Sequence, residues 1–329
     1  MEMRPLGQTG LTVSRLGLGL AALGRPGYIN LGHATDLPEN HEIARMNAHA
    51  RDVIDAAWAA GVRYFDAARS YGRAEEFLGD WLRERSRPEV IVGSKWGYTY
   101  TADWQIDAEA HEIKEHSVNV LNRQAAESGD RLGSFLRLYQ IHSATRESGV
   151  LRNEAVLNRL AELKDSGLAI GLSVSGPKQG ETILESLGVT VNGRRLFDTV
   201  QATWNLLEAS AGPALARAHE AGVGVIIKEA LANGRLTSRN SDSAFEPKRQ
   251  ILESISSRHD TTMDAVALAG VLAQPWVDVV LSGAASVAQM HSNLRASTVN
   301  LDAESIDHLS GLSESAGSYW KTRGDLPWN

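Results

Sequence analysis

The chain has no cysteine in 329 residues. Disulfides, thiolate nucleophiles, cysteine-ligated zinc and iron–sulfur clusters are therefore excluded. The first residues, MEMRPLGQTG, carry no apolar segment of the kind a secretory leader needs. No uninterrupted hydrophobic run is long enough to cross a bilayer, so a cytoplasmic protein with no membrane partner is expected. Positive charge is in the minority, at 33 Lys and Arg against 40 Asp and Glu. That balance gives no electrostatic reason to expect nucleic acid. Low-complexity linkers are also missing, and residues 1–329 read as one domain. No heptad seam or exposed edge strand reveals an oligomeric state.

What is present is a rhythm. Arg4–Ser14 has turn residues at Gly7 and Gly10 between short alternating arms and predicts a β-hairpin. Eight short apolar runs follow: Leu16–Leu20, Val62–Phe65, Val90–Ser94, Phe135–Ile141, Ala169–Val174, Phe197–Ala202, Val223–Ile227 and Val277–Leu281. Continuous rather than alternating hydrophobicity is what a strand buried on both faces shows. Amphipathic segments separate the runs: one ending at Gly61, then Ala74–Arg85, Ala108–Arg123, Glu154–Asp165, Gln179–Leu187, one from Pro213 to Gly222, Thr261–Ala273 and Val287–Ala296. Strict alternation at this length predicts a closed (β/α)8 TIM barrel, with a doubly wound sheet as the other solution. Gly24–His49 and Glu229–Ser257 are long strand-to-helix connections, the second partly helical near Lys248–Ser256. The tail after Asp302, with Trp320 and Trp328, is expected to fold over the rim. GLGLAA at Gly17–Ala22 fits a loose dinucleotide fingerprint, but Gly24, Pro26 and Gly27 forbid the helix that the fingerprint requires. His33, His41 and His49 are evenly spaced, yet a solvated loop describes them better than a metal site.

Three of the runs stop on polar groups. GVRYFDAARSYG stops at Asp66 and carries Tyr71, IVGSK stops at Lys95, and LRLYQIH stops at His142. Parallel neighbours would gather these groups on the C-terminal rim, where barrel enzymes keep their chemistry. Singly, each has a plain structural role open to it: a turn cap, a turn aromatic, a solvated lysine, a rim histidine. Together they form a proton-transfer unit. A free phenol has a pKa of about 10, and a neighbouring ammonium lowers it. Tyr71 would be the acid, Lys95 its tuner, Asp66 the anchor of Lys95, and His142 a hydrogen-bond donor to a substrate oxygen.

With RPLGQTGLTVSRLGLG, GVRYFDAARSYGRAEEFLG, SKWG and LYQIHS all in place, the sequence resembles the aldo-keto reductase superfamily over almost its whole length. The resemblance implies a barrel that binds NADP (NADPH) or NAD (NADH) in extended form and passes a hydride between nicotinamide and an aldehyde, ketone or sugar hemiacetal, with Tyr71 as general acid and base. It puts Gln201 and Ser173 at the carboxamide and Trp204 where the nicotinamide is stacked. Leu231 and Gly234, in KEALANGRLT, fall in the loop that covers the pyrophosphate. Ser282, Gly283, Ser286, Gln289 and Asn293, in SGAASVAQMHSNL, fall at the phosphate and adenosine end. Ala285 stands where the family often has an arginine that grips the 2′-phosphate, which weakens the expectation of NADP.

Three other readings compete. A Schiff-base lyase would use Lys95 as nucleophile. A cofactor-binding regulatory subunit would keep the barrel but turn over little. A metal hydrolase using Asp66 and His142 is the weakest. Tyr28, Trp96, Tyr98 and Trp104 are candidate walls for a stackable substrate.

Overall fold

The computed structural model describes residues 1–84 and 87–329. Eight parallel strands close into a barrel: β1 (Leu16–Gly19), β2 (Tyr64–Asp66), β3 (Ile91–Trp96), β4 (Leu136–Ala144), β5 (Ala169–Val174), β6 (Thr199–Thr203), β7 (Gly224–Lys228) and β8 (Val279–Ser282). The barrel closes where Val280 of β8 meets Leu16 of β1. Around it run α1 (Ile43–Ala59), α2 (Ala74–Arg83), α3 (Val118–Leu132), α4 (Glu154–Asp165), α5 (Gln179–Leu187), α6 (Gly212–Glu220), α7 (Glu246–Arg258), α8 (Met263–Leu272) and α9 (Val287–Leu294). Two more helices follow, α10 (Ala303–Ser310) and α11 (Ala316–Gly324). The (β/α)8 TIM barrel expected from the alternation is the fold observed.

The period of two along each strand explains why the runs are apolar throughout. One set of side chains, including Leu18, Phe65, Val92, Ile141, Val200 and Val280, joins the helices in the main core. The alternate set, including Tyr64, Ile91, Leu138, Ile226 and Val279, fills the barrel's N-terminal end. There it meets Leu6, Leu11 and Val13 of the hairpin, in which Met3–Pro5 pairs with Thr12–Ser14. The hairpin is thus a plug. Gly7 permits the close fit: it has φ +48°, and a Cβ there would lie 2.3 Å from the Gly224 nitrogen.

The structure moves several boundaries. The predicted helix Ala108–Arg123 begins ten residues late, at Val118, where the Ser117 hydroxyl caps the Val120 N–H. Within its expected first half, Glu112–Lys114 is instead a strand, paired with Tyr98–Tyr100 in a ribbon. α1 begins at Ile43, so the first long connection is shorter than expected and His49 is helical. His49 bonds the Ala285 carbonyl at 2.5 Å, and His33 is buried in a separate turn. Arg85, the expected end of the second helix, lies outside the described residues. The tail from Ser315 contains α11, capped by Ser315 onto Ser318. A small hairpin, Thr190–Val191 against Arg194–Arg195, turns at Asn192 and Gly193, both at positive φ. None of the helices described is long and apolar enough to cross a membrane.

Candidate active site

The barrel's C-terminal end is polar where its N-terminal end is apolar. Asp66, the last residue of β2, is the hub. One carboxylate oxygen takes the Lys95 ammonium from β3. The other accepts from Gln201 at 2.9 Å, Tyr64 at 3.2 Å and Gln140 at 3.4 Å. Lys95 also donates to the Ala67 carbonyl at 3.0 Å and is wholly buried. A buried ammonium survives only with such partners.

Tyr71 and His142 stand beside this pair. The Lys95 nitrogen lies 5.0 Å from the Tyr71 ring centre, and the Tyr71 and His142 rings meet edge to face at 5.5 Å. Pairing between β4 and β5 slips between Ile141 and Ala144, with Ser143 at φ +50°. Such a bulge re-aims a side chain at a strand end, and here His142 lines the cavity. Its Nδ1 is 3.3 Å from the Ser70 hydroxyl. Burial, with Lys95, Lys228 and Arg25 nearby, holds the imidazole well below 6.5, so it is neutral. The neutral ring and the Ser70 hydroxyl share this bond, and in the tautomer where Ser70 donates, the other nitrogen carries the proton.

The phenol departs from expectation. Burial, then the Asp66 charge, pushes Tyr71 well above 10, and Arg25 pulls the other way. The Lys95 ammonium near the ring is itself engaged by Asp66 at contact distance.

One cavity of about 730 Å³ joins these groups to the starts of α8 and α9, a size suited to a small-molecule or cofactor site. Asp66, Tyr71 and His142 line one part of it; Asp264, Gln289 and Asn293 line another.

The aldo/keto reductase family model matches residues 15–314. The chain belongs to this family of oxidoreductases. It is 26% identical to the uncharacterized oxidoreductase YqkF of Bacillus subtilis strain 168, over 90% of this chain and 91% of that one. It is 25% identical to the NADH-specific methylglyoxal reductase of Escherichia coli K12, over 92% and 95%. An aldo-keto reductase from Bacillus halodurans, solved in its holo form, superposes with a TM-score of 0.76 over 96% of this chain and 97% of that one, at 24% identity.

The family implies a nicotinamide cofactor, and the cavity of this aldo-keto reductase fits one. Leu231, Gly234, Ser282, Gly283, Gln289 and Asn293 all line it, as does Gln201. A Cβ on Gly283 would meet open space. The buried side-chain amide oxygen of Asn233, on the loop after β7, has no protein partner. Three residues sit elsewhere. Ser173 is fully buried and accepts from the Ser143 N–H at 2.8 Å. Ser286 caps α9 through Gln289. Trp204 is the clear correction: it packs edge-on against Trp276 at 5.4 Å and donates to the Ala209 carbonyl at 3.2 Å, away from the cavity. Ala285 is buried too, and Gln289, one turn along, is the residue that faces the cavity.

The walls also differ from expectation. Trp96 is fully buried, Trp104 packs on Phe77, and Tyr98 lies beside His142 at 4.9 Å without lining the cavity. Tyr28 does line it, with Arg25, Glu112, Lys228, Glu229, Arg323 and Trp328. Sequence reading passed over these charged groups. Lys228 carried a usable signal, because the run GVGVII stops on it as IVGS stops on Lys95. Arg25 and Arg323 carried none. Among the described residues, no group of three or more His, Asp or Glu could hold a metal ion.

Proposed function

We propose that this chain, acting as one barrel unit over residues 1–329, is an NAD(H)-dependent oxidoreductase for small, hydroxylated carbonyl compounds or their sugar hemiacetals, with Tyr71 as proton donor and acceptor. The observation that carries the reading is the buried Asp66–Lys95 pair set beneath Tyr71 and His142 at one end of a cofactor-sized cavity. The nicotinamide, when bound, supplies or accepts the hydride. Neutral His142 donates to the substrate oxygen and fixes its place, and protonated Tyr71 delivers its proton as that oxygen gains charge. Lys95 and Asp66 hold the floor rigid. Gln201 sits at this floor, where the carboxamide of the cofactor would reach it.

Cofactor choice rests on the far end. Thr262, Met263, Asp264, Ala288, Gln289 and Ser292 line it. None of these is a cation, and Asp264 is an anion. A 2′-phosphate would meet repulsion there without the charge-assisted bonds that hold it elsewhere, whereas a ribose 2′-hydroxyl could donate to the carboxylate. The NADH specificity of the Escherichia coli relative agrees with this. Substrate class rests on the charged wall, which offers hydrogen-bonding groups to hydroxyls beside the flat faces of Tyr28 and Trp328.

Lyase chemistry at Lys95 is disfavoured, since its ammonium is sealed behind Asp66. The test is NADH oxidation with short aldehydes, and NAD+ reduction with aldoses, followed at 340 nm for wild type and Tyr71→Phe. Tight NADH binding with no turnover on any of them would return the regulatory-subunit reading.

A further inference from the structure

The strand register puts Lys228 in a particular place. Gln201 of β6 pairs with Ile226 of β7, and Thr203 pairs with Lys228. Residues two apart share a face, so Lys228 occupies the layer directly above Gln201, at the cavity rim. Its nitrogen lies 2.8 Å from the Thr203 hydroxyl and 3.4 Å from that of Ser175, both neutral.

The charges around it nearly cancel in pairs. Arg25 meets Glu112 at 3.1 Å, Lys95 meets Asp66, and Arg323 grips Glu229 through both carboxylate oxygens at 2.5–3.1 Å. Thr203 also donates to Glu229, at 3.0 Å. Lys228 comes no nearer than 3.8 Å to that already engaged carboxylate. Among the described residues, four cations and three anions therefore share the catalytic end of the cavity, and Lys228 is the one in excess.

Oxidised nicotinamide is a cation, and reduced nicotinamide is neutral. We infer that Lys228 places a net positive charge beside the nicotinamide and so makes the site hold the reduced cofactor in preference to the oxidised one. The inference rests on the nicotinamide reading above. Its consequence is directional: a site that favours the reduced form assists oxidation of the bound substrate. Removal of a hydride from a hydroxyl-bearing carbon converts the cationic ring into the neutral one, while the hydroxyl proton leaves through Tyr71.

The charge is also titratable. Burial draws the Lys228 ammonium down to about 8, against the pull of Glu229, with Arg323 and Lys95 adding to the fall and Asp66 opposing it. His142 faces it as a neutral group. The cation is present below that value and is lost as pH rises through it.

The experiment is a titration of NAD+ and NADH against the full chain at pH 7, read by tryptophan fluorescence, for wild type, Lys228→Met and Lys228→Arg. One charge at this range in a protein site is worth about tenfold in an equilibrium constant. Lys228→Met is expected to lower the ratio Kd(NAD+)/Kd(NADH) about tenfold, mainly by tightening NAD+. Lys228→Arg is expected to keep the wild-type ratio. Between pH 7 and pH 9.5 the ratio should fall for wild type and stay level for Lys228→Arg, whose guanidinium does not titrate there. An unchanged ratio in Lys228→Met, with both forms still bound, overturns the inference and leaves the oxidoreductase reading standing. Failure of wild type to bind either form overturns both.

Discussion

Arg323 of α11 clasps Glu229, the residue that follows β7, with three contacts to its carboxylate. Nearly a hundred positions separate the two in sequence, and the pair fastens the tail helix to the barrel rim. Burial by itself would raise the Glu229 pKa. Arg323 and Lys228, with hydrogen bonds from Arg323 and Thr203, outweigh it and hold the carboxyl at about 2, against an ordinary 4.5. A depressed folded-state pKa stabilises the protein above the unfolded value, and that stability drains as pH falls toward the folded one. Acid unfolding should thus include a component of about 3 kcal/mol lost between pH 4.5 and pH 2. Glu229→Gln should show a shallower decline over that window in urea titrations. An identical decline would remove Glu229 from the account.

Tyr71→Phe keeps the ring's packing and removes the phenol that lines the cavity beside the Asp66–Lys95 pair. Positioned proton transfer is worth about 10²–10⁴-fold. Turnover should drop by that factor while NADH affinity holds. Activity within about threefold of wild type would end the role given to Tyr71.

His142 is neutral and Tyr71 protonated throughout the neutral range. The acid of the reduction reaction is lost only as pH rises toward the elevated phenol value. The profile of kcat/KM for carbonyl reduction should therefore be level across neutrality and decline on the alkaline side. An inflection near 6.5 that vanishes in His142→Asn would show the imidazole titrating, contrary to its environment.

Asp66→Asn leaves the Lys95 ammonium buried without its counter-charge. Breaking one side of such a pair costs about 3–5 kcal/mol. Lys95→Met should cost less, because the Asp66 carboxylate would retain three donors from Tyr64, Gln140 and Gln201. Equilibrium unfolding of the two variants gives the order directly, and the reverse order would contradict the hub role of Asp66.

Asp264→Arg turns an anion at the far end of the cavity into a cation. NADPH affinity should rise by about tenfold or more, and NADH affinity should weaken slightly. No gain for NADPH would mean that the 2′ position lies away from Asp264.

Trp328 stacks on His111 at 3.8 Å with the rings 6° from parallel, and the Arg25 guanidinium sits 4.8 Å from its ring centre. Asn329 ties the same segment to Tyr28 through two backbone hydrogen bonds of 3.1 Å. Trp328→Ala should raise KM for the carbonyl substrate about tenfold and leave the Kd for NADH unchanged. A matching loss in both would assign Trp328 to general stability.

The sequence alone determined the barrel and the four residues on its rim. Burial on both faces forces each strand to be apolar throughout, and that run ends where the chain meets the cavity, so Asp66, Lys95 and His142 stand out as the first polar groups after it. Tyr71 came with the loop motif. The tertiary structure decided what those groups do to one another. Lys95 lies beside Tyr71, yet its charge is spent on Asp66, a distinction of a few ångströms that no spacing records. It also decided which residues face the cavity. Trp204 follows β6 in the right place along the chain, but it turns into the helical layer against Trp276, while Lys228 on the next strand takes the rim. Inside the helix expected from Ala108, Glu112–Lys114 is a strand instead because Tyr98–Tyr100 offers a strand to pair with. Arg25, Glu112 and Arg323 reach the site from three distant segments, and contact between remote segments is set by folding the whole chain, not by any local pattern within it.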